Sequence, residues 1–210
     1  MPDGSLDQLV ASLRRCDWSD PAVGHLDAQR VLASIEDPRP LLAAVGAADP
    51  QRTEQDGSAE KTTHFKWFLA ADPDQRFELW LNEYKPKALR RQGHAEVAHN
   101  HRFWFTSLVL AGGFQNAVYT PTEDETLHEA GTVTLGAGDT FVVDPDAVHA
   151  LRALEDGTVT LIVQSQPIRS FSDVYENGRK VRYYDLPGAR RAFNDRIAAL
   201  APFARTRHHH

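Results

Sequence analysis

The sequence has almost no cysteine and no long apolar run. One cysteine, Cys16, stands among 210 residues, so no internal disulfide can form, and a lone thiol in a helix-like segment indicates a structural side chain in a reducing compartment. No apolar stretch approaches the roughly 20 residues that cross a bilayer, and the N-terminus is acidic where a secretory signal would be basic. We therefore expect a cytoplasmic protein that does not associate with a membrane.

Basic charge and several well-known catalytic motifs are also missing. Lys and Arg number 23 against 29 Asp and Glu, without any basic run, so the electrostatic footprint of a nucleic-acid-binding protein is absent. A glycine-rich phosphate loop, a nucleophile elbow and a Cys-x-x-Cys pair are absent as well. With 41% hydrophobic and 25% charged residues, the chain has an ordinary globular composition, and small-molecule chemistry is the expectation that remains.

Hydrophobic patterning divides the chain into an N-terminal helical part and a β-rich part. Apolar residues at helical spacing predict helices within residues 1–60, which we expect to pack as an extension on the next domain. Residues 61–188 contain short aromatic and β-branched segments bounded by Gly, Pro and Asp, which is typical of strands. Residues 189–207 predict a closing helix, and 208–210 are a tag remnant.

The number and spacing of the strands favour one closed architecture. Eight or nine short strands in a row predict a mainly β fold, a small jelly-roll β-barrel, with the helices at either end. Asn177-Gly178 predicts a hairpin turn because both residues tolerate positive φ. Besides alternating residues around 77–82, the strands are predicted at 105–111, 114–120, 132–135, 140–143, 148–154, 158–164 and 181–186.

Two histidines separated by one residue are the first indication of chemistry. In a strand, His99 and His101 point to the same face, so their imidazoles can share a metal ion. Alone, a His-x-His pair is more often a surface pair or a hydrogen-bonded core pair. The spacing of glycines around the pair, and of a third histidine downstream, makes the metal-binding interpretation the stronger one. The residues that carry this spacing are Gly93, His99, His101, Thr106 and Gly113, followed by Gly138, Asp139 and His149.

These spacings resemble the two sequence motifs of the cupins, which implies a cupin barrel with His99, His101 and His149 as metal ligands. Cupins usually add a Glu ligand, and Thr106 stands at that position here. A three-His site without a carboxylate resembles the cysteine dioxygenase group of cupins, over roughly residues 62–186. The resemblance implies Fe(II), with nickel or cobalt as alternatives, and O2 as co-substrate.

The same resemblance suggests residues around the metal. Gln164 takes the place of the family's active-site tyrosine, and Thr106 takes the place of the cysteine that is cross-linked to it in eukaryotic members. The family's carboxylate-binding arginine falls near Lys66, which could act as a point charge, with Arg102 as the other candidate. Our candidate catalytic residues are thus Gln164, Thr106 and Tyr84, and the candidate substrate-binding residues are Lys66, Arg102, Trp104 and Tyr119.

Each of these residues also has a purely structural interpretation. Gln164 can donate a hydrogen bond to O2 or substrate, or can be a buried amide tied to the backbone. The aromatic run at 103–105 can line a pocket, although core packing is the commoner role. Tyr84 and Tyr119 can supply a hydroxyl or be satisfied core tyrosines, and His94 is expected at the surface.

Three functions from different classes remain open on the sequence. The first is an oxygenase that oxidises the sulfur of a small thiol, such as cysteine or a cysteine-derived acid. The second is a cupin oxygenase for a non-thiol metabolite. The third is a non-catalytic metal-binding or ligand-binding cupin. The expected partners are a small thiol and O2, and the expected state is a monomer or a homodimer.

Overall fold

The computed structural model describes residues 6–46, 58–61, 63–90, 96–123, 126–176 and 179–184. Within these residues, three helices precede a run of twelve strands. The helices are α1 (Leu6–Arg14), α2 (Pro21–Ala33) and α3 (Arg39–Gly46). The strands are β1 (Ala59–Glu60), β2 (His64–Ala71), β3 (Glu78–Tyr84), β4 (Ala98–His99), β5 (Phe105–Ala111), β6 (Gly113–Pro121), β7 (Leu127–Gly136), β8 (Thr140–Val143), β9 (Val148–Arg152), β10 (Val159–Gln164), β11 (Phe171–Glu176) and β12 (Arg179–Tyr184).

The strands form two six-stranded sheets that face each other. The first sheet has the order β1-β2-β3-β10-β5-β8 and the second has the order β12-β11-β4-β9-β6-β7, with every described pair of neighbouring strands antiparallel. Rings from the two sheets meet between them, since Phe105 of β5 lies 6.2 Å from His149 of β9. Strands distant in sequence are neighbours in space, as in a jelly roll. The predicted mainly β fold is confirmed.

The helices cover the outer face of the first sheet. Leu13 and Leu32, from α1 and α2, are fully buried in one apolar cluster with Leu79, Leu161 and other residues of that sheet. Helix α2 lies against β5 and β8 in particular. As a result the central strands β3, β10 and β5 are buried on both faces, and neighbouring residues on β5 meet different environments.

Helix α2 is positioned by local signals in the sequence. Asp20 caps it, and its carboxylate accepts hydrogen bonds from the backbone N–H groups of Ala22 and Val23. Pro21 stands at the first helical position, where the missing N–H costs nothing. The cap fixes the start of the helix, and the buried residues that follow, including His25, Ala28 and Leu32, therefore face the sheet.

The structure extends the strand predictions in three places. The segment predicted at 132–135 is the end of a ten-residue strand, β7, and neither β1 at Ala59–Glu60 nor β11 at Phe171–Glu176 was predicted. Strands β11 and β12 pair around the predicted Asn177-Gly178 turn, but those two residues, like the helix expected at 189–207, lie outside the described residues. The division into an extension and a barrel stays a prediction. Within the described part of the chain, no helix combines the length and the apolar character needed to span a bilayer.

Candidate metal centre

Three histidines from separate parts of the chain converge between the two sheets. His99 of β4 and His149 of β9 are directly paired across neighbouring strands, and their ring centroids are 4.9 Å apart. His101, two residues past β4, brings its Nε2 to 2.8 Å from Nε2 of His149. The ligand nitrogens of all three lie within 4.8 Å of one another. The three residues predicted as metal ligands therefore form one group.

Hydrogen bonds on the far side of two rings fix which nitrogen faces the group. Nδ1 of His99 donates to the backbone carbonyl of Val97, and Nδ1 of His149 donates to Oδ1 of Asn116, both at 2.8 Å. Because these oxygens are acceptors, each Nδ1 carries a proton and each Nε2 is the nitrogen that faces the group and could bind an ion. Histidine ligands in metal sites are oriented by bonds of this kind.

The donor set fits a divalent first-row metal ion. Two ligand nitrogens that each lie about 2.1 Å from one ion, at right angles, are about 3 Å apart. The 2.8 Å between Nε2 of His101 and Nε2 of His149 is close to that separation. Among the described residues, no carboxylate or thiol joins the group. The residues present would thus offer an ion three imidazoles and no negative charge, a set that suits iron, cobalt, nickel or zinc.

Aromatic side chains form a wall of the site. The rings of Phe103 and Phe105 lie 5.6 Å and 4.7 Å from the ring of His101. Phe105 is buried and also contacts the ring of Phe141, so this wall is continuous with the apolar interior of the barrel. The residue of β5 that faces the histidines is therefore Phe105, an apolar side chain, and not the neighbouring Thr106.

Thr106 and Trp104 lie on the opposite side of this segment, which corrects the roles predicted for them. The Thr106 hydroxyl donates to the backbone carbonyl of His25 at 3.0 Å and is 2.9 Å from Nδ1 of the same residue. The Trp104 ring stacks on the His25 ring at 6.3 Å. Since Phe103 and Phe105 face the metal centre, alternation places residues 104 and 106 towards helix α2. Their positions do not support contact with metal or substrate.

A buried lysine and Gln164 form a polar cluster next to the aromatic wall. Nζ of Lys66 donates to Oε1 of Gln164 at 2.9 Å and lies 4.2 Å from the ring of Trp80, a cation–π contact. Nε2 of Gln164 donates to Glu78 at 3.4 Å, and so does Nε1 of Trp80 at 3.0 Å. Phe103 lies 5.8 Å from the same Nζ. Phe103 thus contacts both this cluster and the metal centre.

Burial, together with the positive charges of Lys61 and Arg102, lowers the pKa of Lys66 to about 8, whereas Glu78 opposes the shift. At neutral pH the side chain is therefore mostly an ammonium ion. Arg102, the other candidate for binding a substrate acid, is close enough to act on this pKa, and its backbone carbonyl accepts from the N–H of Ile168.

The two tyrosines lie away from the metal centre. Tyr84 stands at the other end of β3, packed in a buried cluster that includes Val109 and Phe114, and burial raises the pKa of its phenol to about 12. The Tyr119 hydroxyl accepts from Arg152, which also pairs with Glu129 at the surface. Neither position supports a role at the three histidines. His94 lies outside the described residues.

Several residues of the site were not predicted. Asn116 and Glu78 orient the groups described above, and Arg169 donates to the backbone carbonyl of His101. The sequence offers a signal for Glu78, because Trp80 shares its face of β3 and an exposed strand face seldom carries tryptophan. For Asn116 and Arg169 there is no such signal, since their partners come from distant segments.

Comparisons with known proteins find similar structures at low sequence identity. No protein-family model and no curated protein matches the chain. The structure of the DMSP lyase DddQ from Ruegeria pomeroyi DSS-3 is 16% identical, over 81% of this chain and 95% of that one, with a TM-score of 0.45. An RmlC-like cupin from Shewanella frigidimarina NCIMB 400 is 23% identical over 55% of this chain and 87% of that one, with a TM-score of 0.36.

A chain from the structures of the DMSP lyases RdDddP and RnDddQII is 18% identical, with a TM-score of 0.38. The match covers 54% of this chain, and it spans only about half, 53%, of the length of that one. Similarities of this size carry no argument about activity. The cupin fold assigned to this chain rests on its own strand order and on the three histidines that the two sheets enclose.

Proposed function

We propose that His99, His101 and His149 hold one Fe(II) ion, with nickel or cobalt as alternatives, and that the protein oxidises the sulfur of a small thiol with O2. The observation that carries this proposal is the ligand set of three imidazoles, which no carboxylate or thiol of the described residues joins. Because no ligand is negative, a bound ion keeps its full 2+ charge and favours an anionic thiolate. When bound, such an ion supplies open coordination positions for thiolate and O2.

The chain's own residues prepare the site for this chemistry. Asn116 and the Val97 carbonyl orient the rings of His149 and His99 so that each presents Nε2 to the group. Phe103 and Phe105 keep water from one side of His101, and ionic contacts are stronger where water is excluded. These residues set the geometry and the polarity of the site before any substrate enters.

We assign the acid group of the substrate to Lys66. Its ammonium donates a hydrogen bond to Gln164, and Phe103 lies near both this ammonium and the ring of His101. A cysteine or cysteine-derived acid would place its carboxylate there and its sulfur at the histidines. Gln164 is bonded at both ends of its amide, so it positions Lys66. Arg102 is the second candidate for the acid group.

Anaerobic titration with cysteine tests the proposal. Cysteine added to protein loaded with Fe(II) or Co(II) is expected to change the metal's optical spectrum, because a thiolate joins the coordination. Oxygen uptake with a panel of thiols is then measured, and replacement of His149 by Ala is expected to abolish it. No spectral change and no uptake with any thiol would contradict thiol oxidation.

A comparison of thiols that carry a carboxylate with uncharged thiols tests the role of Lys66. Wild-type protein is expected to prefer thiols that carry a carboxylate, and this preference should weaken as pH rises through about 8, where Lys66 loses its charge. Lys66→Met should remove the preference at every pH while leaving binding of an uncharged thiol unchanged. An undiminished preference in Lys66→Met would move the assignment to Arg102.

A second function is favoured by one observation, the aromatic wall. Phe103 and Phe105 would also suit an apolar metabolite without sulfur, oxidised at the same metal. Oxygen uptake with such a compound but with no thiol would establish it, and metal binding without any turnover would indicate a non-catalytic binding protein. The oligomeric state, monomer or homodimer, and the cytoplasmic location stay predictions.

A further inference from the structure

The three histidines are not held equally. His99 and His149 lie in paired strands, and His99 is also paired with Val174 of β11, so the backbone hydrogen bonds of the second sheet fix both. His101 lies in segment 100–104, which belongs to no strand. The position of this ligand depends on separate backbone and side-chain hydrogen bonds that join the segment to its neighbours.

Several hydrogen bonds join this segment to residues 165–173, which follow β10. The backbone N–H of Asn100 donates to the carbonyl of Asp173, while Oδ1 of Asn100 accepts from the Asp173 N–H. Ile168 N–H donates to the Arg102 carbonyl at 2.8 Å. These contacts hold segment 100–104 against residues 165–173. They make no link to the segment that carries His149.

Arg169 makes that link. Its Nε donates to the carbonyl of His101 itself at 2.9 Å, and its Nη1 donates to Oδ1 of Asp146 at 3.0 Å. Asp146 stands in the loop before β9, three residues before His149. One guanidinium therefore connects the backbone of one ligand to the loop that leads into another. Its planar, pre-organised fork is suited to holding two such acceptors at a set separation.

We propose that Arg169 is a positioning residue for the metal centre, which sets the distance between His101 and His149 and so determines the affinity for the ion. This inference rests on the proposed metal binding. Removal of a residue that forms a hydrogen bond to a metal ligand typically lowers the metal affinity roughly 10–100-fold. We expect a loss in this range for Arg169, because His101 is the ligand without support from a strand.

The polar contacts of Arg169 indicate that it affects metal affinity more than folding stability. Nη2 of Arg169 is buried and has no hydrogen-bond partner among the described residues. A buried donor without a partner is unfavourable for folding, and the ion pair with Asp146, whose side chain is 90% exposed, adds little to stability. Removing the guanidinium should therefore cost the metal-free protein no more than the one hydrogen bond to the His101 carbonyl, while the metal affinity falls.

The test uses Co(II) as the probe. Wild-type protein, Arg169→Met, Arg169→Lys and Asp146→Asn are titrated with Co(II) in competition with a chelator, and the visible d–d bands report the coordination geometry. Arg152→Met is the matched control, since Arg152 lies three residues after His149 and pairs with Glu129 away from the centre. Melting of each metal-free protein is measured alongside.

We expect Arg169→Met to lose roughly 10–100-fold in Co(II) affinity with altered d–d bands. Arg169→Lys and Asp146→Asn should lose less, and Arg152→Met should match wild type. Unchanged affinity in Arg169→Met would overturn the inference, as would equal losses in Arg169→Met and Arg152→Met. If Arg169→Met does not fold, the Co(II) affinity of Asp146→Asn is compared with those of wild type and Arg152→Met instead, and an unchanged affinity would overturn the inference. A wild-type protein that binds no Co(II) would instead contradict the proposed metal site.

Discussion

Histidines lie against both faces of strand β5, but their environments differ. On the inner face, Phe105 contacts His101 and His149, whose Nε2 atoms converge. On the outer face, Thr106 bonds to His25, which is fully buried between the helices and the sheet. One imidazole with a hydroxyl partner and aromatic neighbours is a core residue. Three imidazoles that turn the same nitrogen towards one another form a ligand set, so the arrangement of neighbours, and not burial, distinguishes the two.

Replacement of His149 by Ala is expected to have the largest effect. It removes one of three ligands, so the loss of Co(II) affinity should exceed the roughly 100-fold that loss of a ligand's partner can cost. Titration with Co(II) measures it. His25→Gln, the same residue type replaced on the other face, should bind Co(II) as wild type does. Equal losses in both variants would remove the distinction between the faces.

The outer histidine should make stability depend on pH. Burial lowers the pKa of His25 to about 4, against about 6.5 in the unfolded chain. The unfolded state therefore binds more protons between these values, and stability is lost as pH falls from about 6.5 to about 4, by about 3 kcal/mol. Urea unfolding at pH 7 and pH 4 measures this loss. It should be smaller by that amount in His25→Gln, and an identical loss would contradict a neutral buried His25.

Asn116 should affect metal binding more than folding. Asn116→Leu leaves Nδ1 of His149 without its acceptor, and we expect roughly 10–100-fold weaker Co(II) binding. Gln115→Leu is the control, because Gln115 lies next to it on β6 but points to the other face. Chelator competition measures both affinities. If the two variants bind Co(II) equally well, Asn116 does not orient the ligand.

Thr106 should show the opposite behaviour. Thr106→Val keeps the shape of the side chain but removes the hydroxyl that bonds to His25, which should cost about 1–2 kcal/mol of unfolding free energy. Co(II) affinity and oxygen uptake should stay at wild-type values. A large loss of activity in a stable Thr106→Val protein would restore the catalytic role suggested by its place in the sequence.

The sequence predicted the ligands well and their surroundings poorly, for a physical reason. Ligand spacing is local, since one residue separates His99 from His101 and His149 follows the turn at Gly138, whose φ is +94°. The roles given to Thr106 and Tyr84 depended on which face of a strand turns inward and on which end of the barrel holds the site. Both depend on strand pairing, which local spacing does not determine.

The polar cluster illustrates the same limit. Lys66 and Gln164 were predicted near the substrate, and the structure joins them through a hydrogen bond between strands β2 and β10. Glu78, which bonds to Gln164, is a polar residue in the alternating pattern around 77–82, and that pattern alone does not assign it a partner. Because helices cover the other face of that sheet, both faces of β3 are buried, and a polar residue there faces the interior.

The proposed chemistry of the site depends most on three imidazoles binding one ion. X-ray absorption spectroscopy of the wild-type protein loaded with one equivalent of Co(II) reports the ligands of the metal directly. We predict the scattering pattern of three imidazole rings on a single ion, with the remaining positions filled by light oxygen donors. A spectrum that contains no imidazole, or only one, would contradict the metal centre described above.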